Sequence, residues 1–249
     1  MAAAFNRYGG EAEIFVIRNL SAKNMEDSVN EFAKRIENSQ MIAVPGGFSG
    51  GDEPEGSAKF INAFFRNPKI KDAVENMLYA RDGLMIGICN GFQALIKLGL
   101  VPFGKIVPLS SESPTLTYNT IGRHQSQLAL TKICTNKSPW LMHCKVGEVY
   151  NIPISHGEGR FVASDEVIAK LIENGQVATQ YVDLNGEPTM DLAYNPNSSM
   201  YAIEGIISPD GRVLGKMGHT ERISSDTCVN VDGNKEQLLF KGGVDYFKL

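Results

Sequence analysis

Apolar residues recur at helical spacing at Met25, Val29, Phe32, Ala33 and Ile36, just after a β-rich run at 13–17. The pair predicts a strand followed by a helix, with Asn24 as the helix N-cap. A second short apolar strand at 41–44 ends in Pro45-Gly46-Gly47-Phe48-Ser49-Gly50-Gly51, whose glycines let the backbone approach a ligand closely. Helical patterns fill 57–65 and 69–79. The apolar strand 84–88 then runs directly into Gly87-Ile88-Cys89-Asn90-Gly91 and a helix over 91–98. Alternating strands and helices of this kind predict an α/β fold, a doubly wound, mostly parallel sheet covered on both faces.

The middle of the chain, 101–149, is richer in β-prone and polar residues and reads as strands. Residues 152–155 form another strand before His156-Gly157-Glu158-Gly159, and 165–173 has the apolar spacing of a helix. Residues 201–207 and 212–217 flank Ser208-Pro209-Asp210-Gly211, a turn sequence that predicts a late β-hairpin. His219 falls just past its second strand. At the start, Ala2 to Tyr8 followed by Gly9-Gly10 has the composition of a last helical turn with its glycine cap.

Length and composition narrow the class. With 249 residues, 43% of them apolar, the chain can fill the core of one large domain spanning 1–249. A formal charge of −4, from 24 basic and 28 acidic residues, gives no positive field for nucleic acid or an anionic membrane. No apolar run approaches the roughly 20 residues needed to cross a bilayer, and the N-terminus lacks a signal-peptide pattern, which together predict a cytoplasmic protein. The cysteines Cys89, Cys134, Cys144 and Cys228 show no CxxC pair and no metal-ligand spacing, so neither a disulfide framework nor a metal site is expected.

Cys89 stands apart because of its neighbours. A strand ending in Gly-x-Cys-x-Gly and opening a helix is the sulfur version of the nucleophile elbow, in which small flanking residues allow a tight turn that exposes the nucleophile. At a helix N-terminus the thiolate is favoured by the dipole, and the following N–H can face a developing oxyanion. A structural glycine turn with an inert cysteine is the competing reading of those five residues. A thiolate also needs a histidine held by a third group. Of His124, His143, His156 and His219, His219 lies just past a strand end and is followed two residues on by Glu221, a carboxylate that projects to the same side if the backbone stays extended. Alone, that pair also fits a surface loop; in the order Cys, His, Glu it fits a catalytic set.

Four motifs together, Pro45-Gly46-Gly47-Phe48-Ser49, Gly87-Ile88-Cys89-Asn90-Gly91-Phe92-Gln93, His156-Gly157-Glu158-Gly159 and Gly218-His219-Thr220-Glu221-Arg222, resemble the class I glutamine amidotransferase domain of phosphoribosylformylglycinamidine synthase. The resemblance spans nearly the whole chain and is greatest to the C-terminal glutaminase portion of the long, fused form. It implies a flavodoxin-like fold and hydrolysis of L-glutamine through a γ-glutamyl thioester, with ammonia passed to a synthetase that amidates formylglycinamide ribonucleotide in purine biosynthesis. It makes Cys89 the nucleophile, His219 the general base and acid, and Glu221 the group orienting His219. The N–H groups of Gly47 and Asn90 become the oxyanion hole. Gly46, Phe48, Gln93, His156 and Glu158 are placed at the substrate. Gln93 also fits an ordinary helix residue, and His156, Glu158 and Asn195-Pro196-Asn197-Ser198-Ser199 also fit structural turns.

The resemblance implies no cofactor in this domain, with ATP and Mg confined to the synthetase, carried on the same full-length chain or on a partner subunit. It also implies a first strand, turn and helix that precede the helical end at Ala2, so the sheet is expected to lack its first strand beside residues 13–17. Lower stability, or an oligomer filling the slot, is expected to follow. Thr220 stands where such domains often carry serine or proline, and as it keeps a hydroxyl it is expected to matter little. A stand-alone cysteine hydrolase or deglycase of similar fold and a catalytically silent interaction fragment are the rival readings.

Overall fold

The computed structural model describes residues 1–48 and 56–248. Helix α1 (Ala2–Asn6) turns at Gly9 into an extended run, and α2 (Ala22–Glu37) begins at Ser21, whose side chain, not that of Asn24, caps it by accepting the Asn24 N–H at 3.1 Å. Then follow β1 (Met41–Val44), α3 (Lys59–Phe65) and α4 (Pro68–Glu75), which continues into a π-helical turn at Asn76–Ala80. Strand β2 (Leu84–Ile88), helix α5 (Asn90–Leu98), the short turn α6 (Leu100–Phe103), β3 (Thr115–Tyr118), β4 (Gln125–Ile133), β5 (Val149–His156) and β6 (Glu158–Val162) lead to α7 (Asp165–Glu173). The chain closes with β7 (Val177–Tyr181), β8 (Ile203–Ile207), β9 (Val213–Lys216) and α8 (Leu239–Tyr246).

Seven strands form one sheet in the order β1-β2-β9-β8-β7-β4-β5, and β3 pairs with β6 in a second, two-stranded one. The α/β architecture is as expected, but its parallel part is confined to β1–β2 and β2–β9; the other four pairings of the large sheet are antiparallel. The turn between β8 and β9 shows why. Ser208 N–H donates to Val213 O at 2.9 Å and Ser208 Oγ donates to Asp210 at 2.6 Å, closing a hairpin too short for a parallel crossover.

Residues 13–17 do not join the sheet. Phe15 stacks on Phe32 of α2 at 5.0 Å between ring centroids, with the Arg35 guanidinium 5.3 Å above its ring, while Ile14 and Val16 remain 76% and 71% exposed. The alternation that reads as a strand is spent on packing against α2. β1 is therefore the outermost strand on that side, and the seven strands themselves are contiguous.

Every residue of β2 is buried, as a strand covered on both faces requires. Helix α5 packs on it through Leu95, over Gly87, and on β9 through Phe92, over Gly215, both side chains almost completely buried. A Cβ on Gly91 would lie 2.0 Å from the Val44 carbonyl oxygen, so glycine is what lets α5 start this close to β1. No helix among the described residues is long and apolar enough to cross a membrane.

Candidate active site

The parallel strands β1, β2 and β9 all deliver their C-terminal ends to one edge of the sheet, where the loops after them meet. Such carboxyl ends are where open α/β sheets hold their ligands. Directly after β2, Cys89 sits at φ 54°, ψ −110°, a conformation costly to a residue with a side chain and tolerated where the surroundings impose it. Those surroundings are explicit: Cys89 N–H donates to Lys216 O at 2.9 Å, and Gln93 N–H donates to Cys89 O at 3.1 Å. The thiol is 7% exposed and donates to Ser155 O at 3.5 Å.

Burial pushes the Cys89 thiol up to about 11, against the N–H groups of Asn90 and Gly47 and the Arg222 charge, which favour the thiolate. Desolvation thus outweighs the groups that favour the thiolate, the helix-terminus N–H among them. Attack by this sulfur needs a base beside it.

His219 follows the end of β9 and is pinned by its N–H donating to Pro153 O at 2.8 Å. Its Nδ1 lies 2.6 Å from Glu221 Oε1, and the ring is 1% exposed. Burial tends to raise the Glu221 pKa, but the hydrogen bond and charge of His219 bring it below the usual carboxylate value. An ionised carboxylate only accepts, so Nδ1 carries a proton, and it is Nε2 that holds the lone pair whenever the ring is neutral. Among the described residues Nε2 has no partner. Gly46 separates this ring from the cysteine by very little: a Cβ there would stand 2.8 Å from His219 Cε1 and 3.1 Å from Cys89 Cβ. Three loops, after β1, β2 and β9, thus converge on one reacting point.

That point opens into a cavity of about 380 Å³ whose lining includes Gly47, Cys89, Asn90, Gln93, His156 and Glu158. A second cavity, of about 410 Å³, lies between Arg7 and the 223–236 segment and contains none of these residues.

A family model described as the CobB/CobQ-like glutamine amidotransferase domain matches residues 1–247. The chain belongs to this family of glutamine amidotransferases. Its relatives include phosphoribosylformylglycinamidine synthase subunit PurQ of Chlorobium chlorochromatii, 36% identical over 83% of this chain and 79% of that one, and PurQ of Symbiobacterium thermophilum, 31% identical over 95% and 91%. Among solved structures, PurLQS from Thermotoga maritima matches with a TM-score of 0.68 at 24% identity, covering 99% of this chain and 91% of that chain. The glutaminase domain of Trypanosoma brucei CTPS with bound acivicin matches with a TM-score of 0.51 at 13% identity, covering 97% and 83%. Both likenesses concern the fold.

In this amidotransferase the sequence-predicted residues Cys89, His219, Glu221, Gly46, Gly47 and Asn90 are brought together. Gln93 is buried, and its side-chain amide donates to Glu158 O. Glu158, on the wall of the same cavity, has its carboxylate accepting from Ser57 N–H at 3.2 Å and Ser57 Oγ at 2.8 Å. Phe48 stands at the rim, 83% exposed, its ring 6.4 Å from that of His124. Ser49 lies outside the described residues. The 195–199 segment is no simple surface turn: Asn197 Nδ2 donates to Gly159 O at 2.7 Å and Phe161 N–H to Ser199 Oγ at 3.0 Å, bracing the turn between β5 and β6 that carries His156 and Glu158. Asn119 braces it from the other side, through His156 O at 2.9 Å and Gly159 N–H at 3.2 Å.

Sequence reasoning missed Tyr118, Arg123, His124 and Ser155 on the cavity wall. They lie on β3, β5 and the loop before β4, where no motif marks them.

His156 is 3% exposed, and neither ring nitrogen has a partner among the described residues. Burial, helped by the charges of His124 and His219, lowers it from 6.5 to about 4. Between these values the unfolded chain binds a proton that the folded one refuses, so stability falls as pH drops through the window, by roughly 3 kcal/mol in all. Urea denaturation at pH 7.5 and pH 4.5 should show a greater loss for the wild type than for His156→Asn. Equal losses would contradict a neutral, buried His156.

Proposed function

We propose that Cys89 opens the hydrolysis of L-glutamine to glutamate and ammonia by attacking the side-chain amide. His219 Nε2 takes the thiol proton as sulfur bonds to the amide carbon. The carbonyl oxygen becomes an oxyanion facing the N–H groups of Gly47 and Asn90, donors each worth about 3–4 kcal/mol in comparable hydrolases. His219 returns the proton to the departing nitrogen, ammonia leaves, and a γ-glutamyl thioester remains on Cys89. Water, deprotonated by His219, then attacks the thioester, and the sulfur departs and takes that proton back from His219 as glutamate is released. Glu221 holds the imidazole in the tautomer this sequence needs and offsets the charge the ring acquires.

The observation that carries this reading is the placing of Cys89 and His219 on either side of Gly46, with two backbone N–H groups near the sulfur. His156 and Gln93 sit where the glutamine is held, a neutral imidazole and a braced amide that recognise an uncharged side-chain amide without competing for the proton. The ammonia serves a synthetase that makes formylglycinamidine ribonucleotide, in keeping with relatives that are subunits of phosphoribosylformylglycinamidine synthase. ATP and Mg chemistry belongs to that synthetase. The motifs favour the C-terminal glutaminase portion of the long, fused form, and the cytoplasm as the site of action.

The test is glutamate release, measured with the synthetase partner present because such domains couple hydrolysis to their acceptor site. Cys89→Ser is expected to abolish it. Release at the wild-type rate from that variant would remove the thioester from the mechanism.

A further inference from the structure

A lysine and a glutamate lie where no solvent reaches. Lys216, at the end of β9, is 1% exposed, and its Nζ is 3.4 Å from Oε1 of Glu204 on β8, which is fully buried. Burying such a pair is expensive, and in general it adds little stability over apolar residues of the same size. What this pair grips is therefore informative.

Lys216 Nζ donates to Gly218 O at 3.1 Å and to Thr220 Oγ1 at 3.2 Å, the residues on either side of His219. Glu204 Oε1 accepts the Gly218 N–H at 2.5 Å, and its Oε2 accepts from Thr179 Oγ1. The Thr220 hydroxyl donates onward to Gln237 Oε1 at 2.8 Å, and Gln237 Nε2 donates to Thr131 Oγ1 at 3.3 Å. On its other side Lys216 accepts the Cys89 N–H at its own carbonyl, at 2.9 Å. One residue thus fixes the backbone of the cysteine with its carbonyl and the turn of the histidine with its ammonium. Thr220, expected from the sequence to be neutral, spends its hydroxyl in both directions.

We propose that Lys216 and Glu204 are positioning residues for the glutamine hydrolysis read above, holding Gly218-His219-Thr220 so that His219 meets the Cys89 sulfur. They touch neither substrate nor reacting atoms. Their effect falls on the proton transfer, so it belongs in kcat more than in KM.

The double variant Lys216→Met/Glu204→Gln removes both charges together and leaves none buried without a partner. With the synthetase partner present, its kcat for glutamate release is expected to fall at least ~10-fold while KM for glutamine stays within about two-fold, as small misplacements of a catalytic base do. Alkylation of Cys89 by iodoacetamide, followed by intact mass, should slow with it, since His219 also draws the proton from the thiol there. A folded double variant with unchanged kcat and unchanged alkylation overturns the proposal.

Should circular dichroism show that variant unfolded, Thr220→Val decides. It removes the bridging hydroxyl at nearly constant volume and is expected to lower kcat about 3- to 10-fold, with Thr220→Ser restoring it. Wild-type kcat in Thr220→Val overturns the proposal. If the wild type releases no glutamate yet the alkylation difference persists, the glutaminase reading fails while the positioning role stands.

Discussion

Replacing His219 with glutamine is expected to lower kcat for glutamate release by roughly 100- to 10,000-fold, the range general acid–base catalysis supplies, with KM for glutamine little changed. The size of the effect follows from the buried thiol. Because desolvation holds Cys89 up at about 11, almost no thiolate exists at neutral pH without a base to take the proton during attack. His219, its Nδ1 committed to Glu221 at 2.6 Å, is placed to do so. Steady-state kinetics on a variant whose thermal melt matches the wild type provides the check, and a loss of only a few-fold would assign the base elsewhere.

Gly46→Ala is expected to cost about 100-fold in turnover without replacing any titratable group, a loss typical of roughly 1 Å of misplacement at a reacting centre. Its new Cβ would sit 2.8 Å from His219 Cε1, closer than real Cβ contacts come, and 3.1 Å from Cys89 Cβ, a tight contact. The contact with His219 is the shorter, so the imidazole is displaced from its place beside the cysteine. Turnover and the Cys89 alkylation rate should fall together. A fully active Gly46→Ala would mean that the two side chains do not need this spacing.

Much of this site was legible because its chemistry is written in local turns. The β2 run is apolar throughout, and the small residues around Cys89 mark a tight turn wherever the rest of the chain goes. Glu221 follows His219 at a spacing that survives the short helical turn of Thr220–Arg222. The bracing behind the site was not legible. A lysine at the end of β9 reads as a solvated residue, and only the pairing of β8 with β9 shows that it faces Glu204 in the interior. Residues 13–17 misled for a related reason: their alternation is real, but Phe15 found an aromatic partner on α2 rather than a neighbouring strand. Helix α8 was hidden by Gly242-Gly243, poor helix formers that here lie against Trp140, where larger side chains would collide. Strand β7 was hidden by its polar residues, since Thr179 faces Glu204 and Gln180 donates to Tyr201 O at 2.7 Å.

The central claim is that a glutamine-shaped electrophile enters the cavity and bonds to one sulfur. Incubating the protein with a glutamine-derived diazo-ketone and mapping the adduct by peptide mass spectrometry tests it most directly. A single adduct on Cys89, suppressed by excess glutamine and absent in Cys89→Ser, is the predicted result; no labelling, or labelling on Cys134, Cys144 or Cys228 instead, would contradict it.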